Sequence, residues 1–280
     1  MKRLAATLVL VPVLLLLAGC GSSKDETAAT ATACTPDKLP TKAKGTLTVA
    51  TDKPAYPPYF EDDEPANGEG FESAVAYAIG KQLGYKPAQL KWTVEPFNSS
   101  YAPGPKDFDF DVNEISITPP RAKVVDFSSP YYTANQAVVA LKDSDAAGAT
   151  SIADLEDTRI GVQIGTTSLS AVEEVIDPSS KPEVFNSSND VVTALKNEQI
   201  DAVVVDLPTA LYLTAAQVPA AAVVGQFSAP GGDEWGALMG KGSPLSACVS
   251  EAVDTLRDSG ELAKLTKRWM SDAAGAPELE

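Results

Sequence analysis

The chain has 280 residues, 22 basic against 38 acidic side chains, a formal charge of −16 and no histidine. The missing histidine excludes a Ser-His-Asp or Cys-His nucleophile, an imidazole metal ligand and an imidazole general base. The acidic balance excludes electrostatic binding to nucleic acid, which needs basic side chains to displace condensed counterions, while 44% hydrophobic residues at this length can fill two lobes.

Met1-Lys2-Arg3 is a basic start, followed by eleven apolar residues from Leu8 to Ala18 and then Gly19-Cys20. The run is short of the roughly 18 apolar residues of a membrane span and has the layout of an export signal over residues 1–19. Leu17-Ala18-Gly19-Cys20 resembles a bacterial lipobox. That resemblance implies that Cys20 becomes the lipidated, palmitate-bearing first residue of a chain held on the extracytoplasmic face of the cell membrane. Cleavage there removes two basic residues and leaves a charge of −18. Gly21 to Ala33 is rich in Ser, Thr and Ala without apolar period, and residues 20–44 read as the lipidated N-terminus and a flexible tether. With Cys20 assigned to lipid, Cys34 and Cys248 remain; outside the cytoplasm an even remainder predicts a disulfide, the alternative being two free thiols.

The body alternates strands and helices. Gly45 to Thr51 is a β-rich run, and Phe71, Val75, Ala78, Ile79 and Leu83 follow at helical spacing before Gly84. Leu90 to Glu95, Asp111 to Ile117 and Gln136 to Leu141 read as strands, with a short helix over Pro119 to Val125. A second series has strands at Arg159 to Ile164, Val184 to Asn186 and Ile200 to Val205, with helices at Ser168 to Ile176 and Asp190 to Asn197. Ser246 to Trp269 is helical by period, interrupted at Gly260. The pattern predicts an α/β fold of two lobes, each a mostly parallel sheet flanked by helices, with ligands beyond the C-terminal strand ends. A returning C-terminal helix places lobe 1 at 45–134 and 229–280 and lobe 2 at 135–228.

Four segments after strands carry candidate chemistry. Thr51 to Phe60 offers aromatic faces in a proline-stiffened loop, or else a turn filling the core edge. In Ser116-Ile117-Thr118-Pro119-Pro120-Arg121, Thr118 and Pro119 suit the N-cap and N1 positions, so Arg121 falls in the first helical turn. A guanidinium fork there suits a carboxylate, and a cation at that end of a helix calls for an anionic partner; a surface salt bridge is the plainer reading. Gly161 to Ser168 runs from strand into helix and forms an anion cradle or a simple cap; it lacks the Gly-Lys-Ser/Thr ending of a nucleotide loop. Asp201 to Asp206 is an apolar strand ending in a carboxylate that holds an ammonium group or caps the next helix. Together these parts suffice to hold a free α-amino acid.

The ordered motifs Leu47-Thr48-Val49-Ala50-Thr51-Asp52, Tyr56-Pro57-Pro58-Tyr59, Gly70-Phe71-Glu72, Ser116 to Arg121, Val125-Asp126-Phe127-Ser128, Gly165-Thr166-Thr167 and Asp201 to Asp206 resemble the polar amino acid-binding proteins of ABC importers over residues 45–270. The resemblance implies a type II periplasmic-binding-protein-like fold with a two-strand hinge near Gln136 to Leu141 and Val223 to Phe227. It implies that Arg121 takes the ligand α-carboxylate with help from Thr166 and Thr167, and that Ser116 and Asp206 take the α-ammonium. It further implies that Tyr56 and Phe97 pack the ligand, that Asp52 meets its side chain, and that the partners are an ABC permease and the membrane. No cofactor, metal or catalytic residue is implied, and monomer is the default. The sequence departs from the family pattern at Glu114, where many relatives have a small residue; Glu114 either adds negative charge to the pocket or points away, as strand neighbours alternate. An enzyme of dehydratase type on the same fold, with Glu114 as general acid, and an amino acid sensor are the alternatives.

Overall fold

The computed structural model describes residues 34–270 and 275–280; the export segment and Cys20 lie outside them. In chain order the first lobe is laid down as β1 (Leu47–Thr51), α1 (Phe71–Gln82), β2 (Leu90–Val94), α2 (Phe97–Ser100), β3 (Phe110–Asp111), α3 (Pro119–Ala122), β4 (Val125–Phe127) and β5 (Tyr132–Thr133). The second lobe follows as β6 (Gln136–Leu141), β7 (Ile160–Gln163), α4 (Thr167–Ala171), β8 (Glu183–Phe185), α5 (Ser188–Lys196), β9 (Ala202–Asp206), α6 (Leu207–Tyr212) and β10 (Ala221–Phe227). The chain returns to the first lobe with β11 (Glu234–Trp235), β12 (Leu238–Gly240), α7 (Ser246–Asp258) and α8 (Glu261–Trp269).

The two five-stranded sheets have the orders β2-β1-β3-β12-β4 and β10-β6-β9-β7-β8. Three neighbouring strands in each are joined by parallel pairing, as strand-helix-strand units require. The other pairings are antiparallel: β12 in the first sheet and β6 in the second each run against their four companions, so each sheet is mostly parallel with one reversed strand. The cause is the crossing between lobes. β12 comes back from the second lobe and inserts between β3 and β4, while β6 and β10 enter and leave the second lobe as an antiparallel pair.

Burial explains the runs that read as continuous apolar strands. Val138 and Val204 face one core of the second lobe, and their neighbours Val139 and Val203 face the other. A strand covered on both faces cannot alternate with polar residues. In the first lobe, Phe71, Val75 and Ile79 on α1 meet Val49, Phe110, Trp235 and Val249. Each such buried side chain contributes about 1.5–3 kcal/mol.

The lobes are joined through Ala134–Gln136 and Phe227–Asp233, between the β5–β11 ladder at the first lobe and the β6–β10 ladder at the second. Asn135 Nδ2 donates to Gln226 Oε1 at 2.9 Å, tying the two crossings together.

Three expectations need correction. Residues 34–44 are not tether: Leu39 is buried in the first core, Lys42 N donates to Asp109 Oδ1 at 2.8 Å, and Cys34 is bonded to Cys248 on α7 with Cα atoms 5.5 Å apart. Of Asp111 to Ile117 only Asp111 is in a strand, Phe110–Asp111, and beyond it the backbone leaves the extended form, with Glu114 at φ 48°. The C-terminal residues 275–280 pack on the second lobe, where Gln226 N donates to Pro277 O at 2.7 Å and Leu279 N to Gln226 O at 2.8 Å. A Cβ on Gly225 would lie 2.6 Å from Leu279 Cγ, so this docking depends on glycine there. Among the described residues no helix is long and apolar enough to cross a membrane.

Candidate functional site

The C-terminal ends of the strands in both lobes face one cavity of about 460 Å³, within the roughly 300–1,000 Å³ of small-molecule sites. It is lined by Asp52, Tyr56, Phe97, Glu114 and Ser116 from the first lobe and by Thr166, Thr167 and Asp206 from the second. The lobes meet around it. Tyr56 Oη donates to Asn189 Oδ1 at 2.6 Å, the Tyr59 and Thr209 hydroxyls lie 2.8 Å apart, and those of Ser116 and Thr167 3.3 Å apart. Gly165 makes the approach possible: its φ is 75°, and a Cβ there would stand 3.1 Å from Asn98 Oδ1 and in steric conflict with the Tyr101 hydroxyl.

Arg121 is where the local sequence predicts, in the first turn of α3, with Thr118 Oγ1 accepting from its backbone N–H. It stands behind the cavity surface rather than on it. Its guanidinium is buried, with Nη1 donating to Ser116 O and Nη2 across the cleft to Gly165 O, both at 2.8 Å. The cation also rests over Tyr101 at 4.6 Å and Phe97 at 5.4 Å from the ring centroids. Burial lowers its pKa, opposed by the fields of Tyr101, Asp233 and Asp206. Two of five N–H donors are engaged with neutral carbonyls, which leaves the fork able to take a carboxylate.

The opposite character gathers nearby. Glu114 and Asp206 both hold their protons well above the usual carboxylate range. Confinement in the narrow cleft is the first cause for each; Glu72 and Asp206 then act on Glu114, and Asp233 on Asp206. Asp206 Oδ1 accepts from Gln136 Nε2 at 2.6 Å and makes no cap bond to α6, so the capping role is not the one it takes. Asp52 accepts from Phe97 N at 3.1 Å and Lys53 N at 2.7 Å while still bordering the cavity. Glu114 faces the cavity because its backbone leaves the strand conformation, which removes the alternation argument that would have turned it away.

The hydroxyls divide. Thr166 Oγ1 caps α4, accepting from Leu169 N at 3.2 Å and donating to Gln163 O at 2.8 Å. Thr167 Oγ1 donates to Asp233 Oδ2 at 2.9 Å. Sequence reading missed Asp233, which is buried and also accepts from Gln136 Nε2 at 2.7 Å. It also missed Tyr59, Asn189, Thr209 and Tyr212. Asp233 follows Gly231-Gly232, where no periodicity marks a site; Tyr59 was visible only as part of the aromatic loop.

Residues 47–272 match the model of the bacterial extracellular solute-binding proteins, family 3. The chain belongs to that family. It is 30% identical over 276 residues to the arginine-binding extracellular protein ArtP of Bacillus subtilis, covering 97% of this chain and 99% of that one. Among solved structures, an ancestral arginine-binding protein bound to arginine matches with TM-score 0.65 and 32% identity, covering 80% of this chain and 97% of that one. An ancestral amino acid-binding protein described as a precursor of cyclohexadienyl dehydratase matches with TM-score 0.62 and 31% identity, covering 80% and 94%. The fold of this solute-binding protein is therefore the two-lobed type II fold.

Proposed function

We propose that this solute-binding protein is a lipid-anchored receptor that captures a cationic amino acid, arginine foremost, and delivers it unchanged to an ABC permease. The observation that carries the reading is the pairing of Asp52 and Glu114 on one cavity with the Arg121 fork behind its wall. The ligand α-carboxylate takes free Arg121 donors beside Thr167, and its α-ammonium takes Ser116 and Asp206. A guanidinium or ammonium side chain takes Glu114 and Asp52, with Tyr56 and Phe97 against its apolar stem. Contacts to both lobes favour the closed state, since only differential contacts shift such an equilibrium. The arginine-binding names of the relatives agree with this ligand class, and Cys20 supplies the anchor at the outer membrane face.

A protonated Glu114 in a closed cleft also suits a general acid, and the dehydratase-precursor neighbour gives that second reading a structural counterpart. Calorimetry of the chain from residue 20, carrying Cys20→Ser, against the twenty amino acids separates them. Micromolar or tighter binding of arginine or lysine over neutral amino acids, with the ligand recovered intact, supports the receptor; consumption of the ligand supports the enzyme.

A further inference from the structure

We infer that Glu72 is a positioning residue for ligand selectivity, holding the Glu114 main chain so that the Glu114 side chain faces the cleft. The inference rests on the reading of Glu114 as a ligand partner.

Glu72 lies in the first turn of α1, is 0% exposed and does not line the cavity. Its Oε1 accepts from Glu114 N at 2.7 Å and from the Tyr131 hydroxyl. Glu114 is a non-glycine residue at φ 48°, a conformation that costs about 1–2 kcal/mol and persists only where neighbours enforce it. The hydrogen bond from its own N–H to a buried carboxyl is that enforcement. Turning the main chain back to an extended form would break this bond and strand both partners away from water.

The surroundings also forbid an inward Glu114 side chain. Asp111 on β3 is fully buried with neither carboxyl oxygen partnered, and Glu72 Oε2 is likewise unpartnered. A third carboxyl placed there would add to the acidic groups that already act on Asp111, namely Glu72, Glu95 and Asp52, which Lys106 opposes. The titratable groups acting with Glu72 are Tyr59 from the loop after β1, Asp111 on β3, Glu114, Tyr131 beside β5 and Asp206 at the end of β9. Each is acidic, so the negative field of Glu72 raises the pKa of Glu114, in support of the geometry.

The test compares arginine and glutamine affinities by calorimetry on the chain carrying Cys20→Ser. Glu114→Gln lowers the arginine-over-glutamine preference by at least about tenfold, the effect of losing one hydrogen bond to a charged group. Glu72→Ala does the same although Glu114 is intact. Glu72→Gln, whose side-chain oxygen still accepts from Glu114 N–H, restores the preference. It also moves the rise of arginine affinity with pH to lower pH, because burial and the fields of Asp206 and Asp52 still raise the Glu114 pKa but that of Glu72 is gone. Should Glu72→Ala fail to fold, Glu72→Asp withdraws the carboxylate by about 1.5 Å and carries the same expectation. Wild-type preference in Glu72→Ala or Glu72→Asp alongside its loss in Glu114→Gln overturns the positioning role and leaves the site reading intact. Preference unchanged in Glu114→Gln overturns the site reading and this inference together.

Discussion

Arg121 carries the heaviest burden in the proposed site, and replacing it has a calculable effect. The fork has five N–H donors, of which Ser116 O and Gly165 O occupy two. A bidentate pair to a ligand carboxylate adds two charge-assisted bonds of about 1.5–3 kcal/mol each, or about 3–6 kcal/mol in all. At about 1.4 kcal/mol per decade, Arg121→Ala weakens binding by roughly 10²–10⁴-fold. Arg121→Lys keeps the charge but not the planar fork, so it loses about one of the two bonds and roughly 10–100-fold in affinity. The fold itself is less sensitive. The variant gives up two carbonyl bonds and the stacking on Tyr101, yet it also removes the cost of burying a cation, so the stability change stays within about 2 kcal/mol. Titration calorimetry beside thermal melting reads both quantities. Affinity within about threefold of wild type, or about 0.6 kcal/mol, would refute the clamp.

Two further outcomes follow from burial. Glu72 has its pKa pushed up by burial to about 7 from the 4.5 of an unperturbed glutamate. The stability contributed by its protonated form is fully present below about pH 4.5 and is lost as pH rises through about 7, at most about 3 kcal/mol. Asp111, Glu114 and Asp206 shift the same way, so the ligand-free chain melts higher at about pH 5 than at about pH 8; a melting temperature that rises across that interval contradicts the buried-acid assignment. Gly225→Ala places a Cβ 2.6 Å from Leu279 Cγ and 2.9 Å from Pro277 O. That displaces the C-terminal residues from the second lobe, costs about 1–3 kcal/mol and accelerates amide exchange at Leu279; unchanged protection there would show that the docking is not made.

How much was readable varies with how local the cause is. α1 and β1 were legible because apolar spacing and a Gly84 stop act over a few residues, and Thr118-Pro119 placed Arg121 correctly because capping is local chemistry. The mixed pairing was not legible, since β12 enters its sheet from a point in the chain more than 100 residues after β3. Glu114 was ambiguous because strand alternation holds only while the strand continues, and the bond that holds its turned main chain, to Glu72, joins residues 42 apart. The last six residues carry no apolar period, and the backbone bonds to Gln226 and the space beside Gly225 that place Leu279 lie about 50 residues away in the chain. Asp233 reaches Thr167 and Gln136 beside the cavity through the crossing between lobes, which no nearby residue announces.

The orientation of the ligand is the central claim, and a crystal structure of the chain grown with arginine tests it directly. The account predicts the α-carboxylate within about 3.2 Å of the Arg121 guanidinium and the ligand guanidinium against Glu114 and Asp52. Arginine bound in the reverse sense, or held without any contact to Arg121 and Glu114, would contradict it.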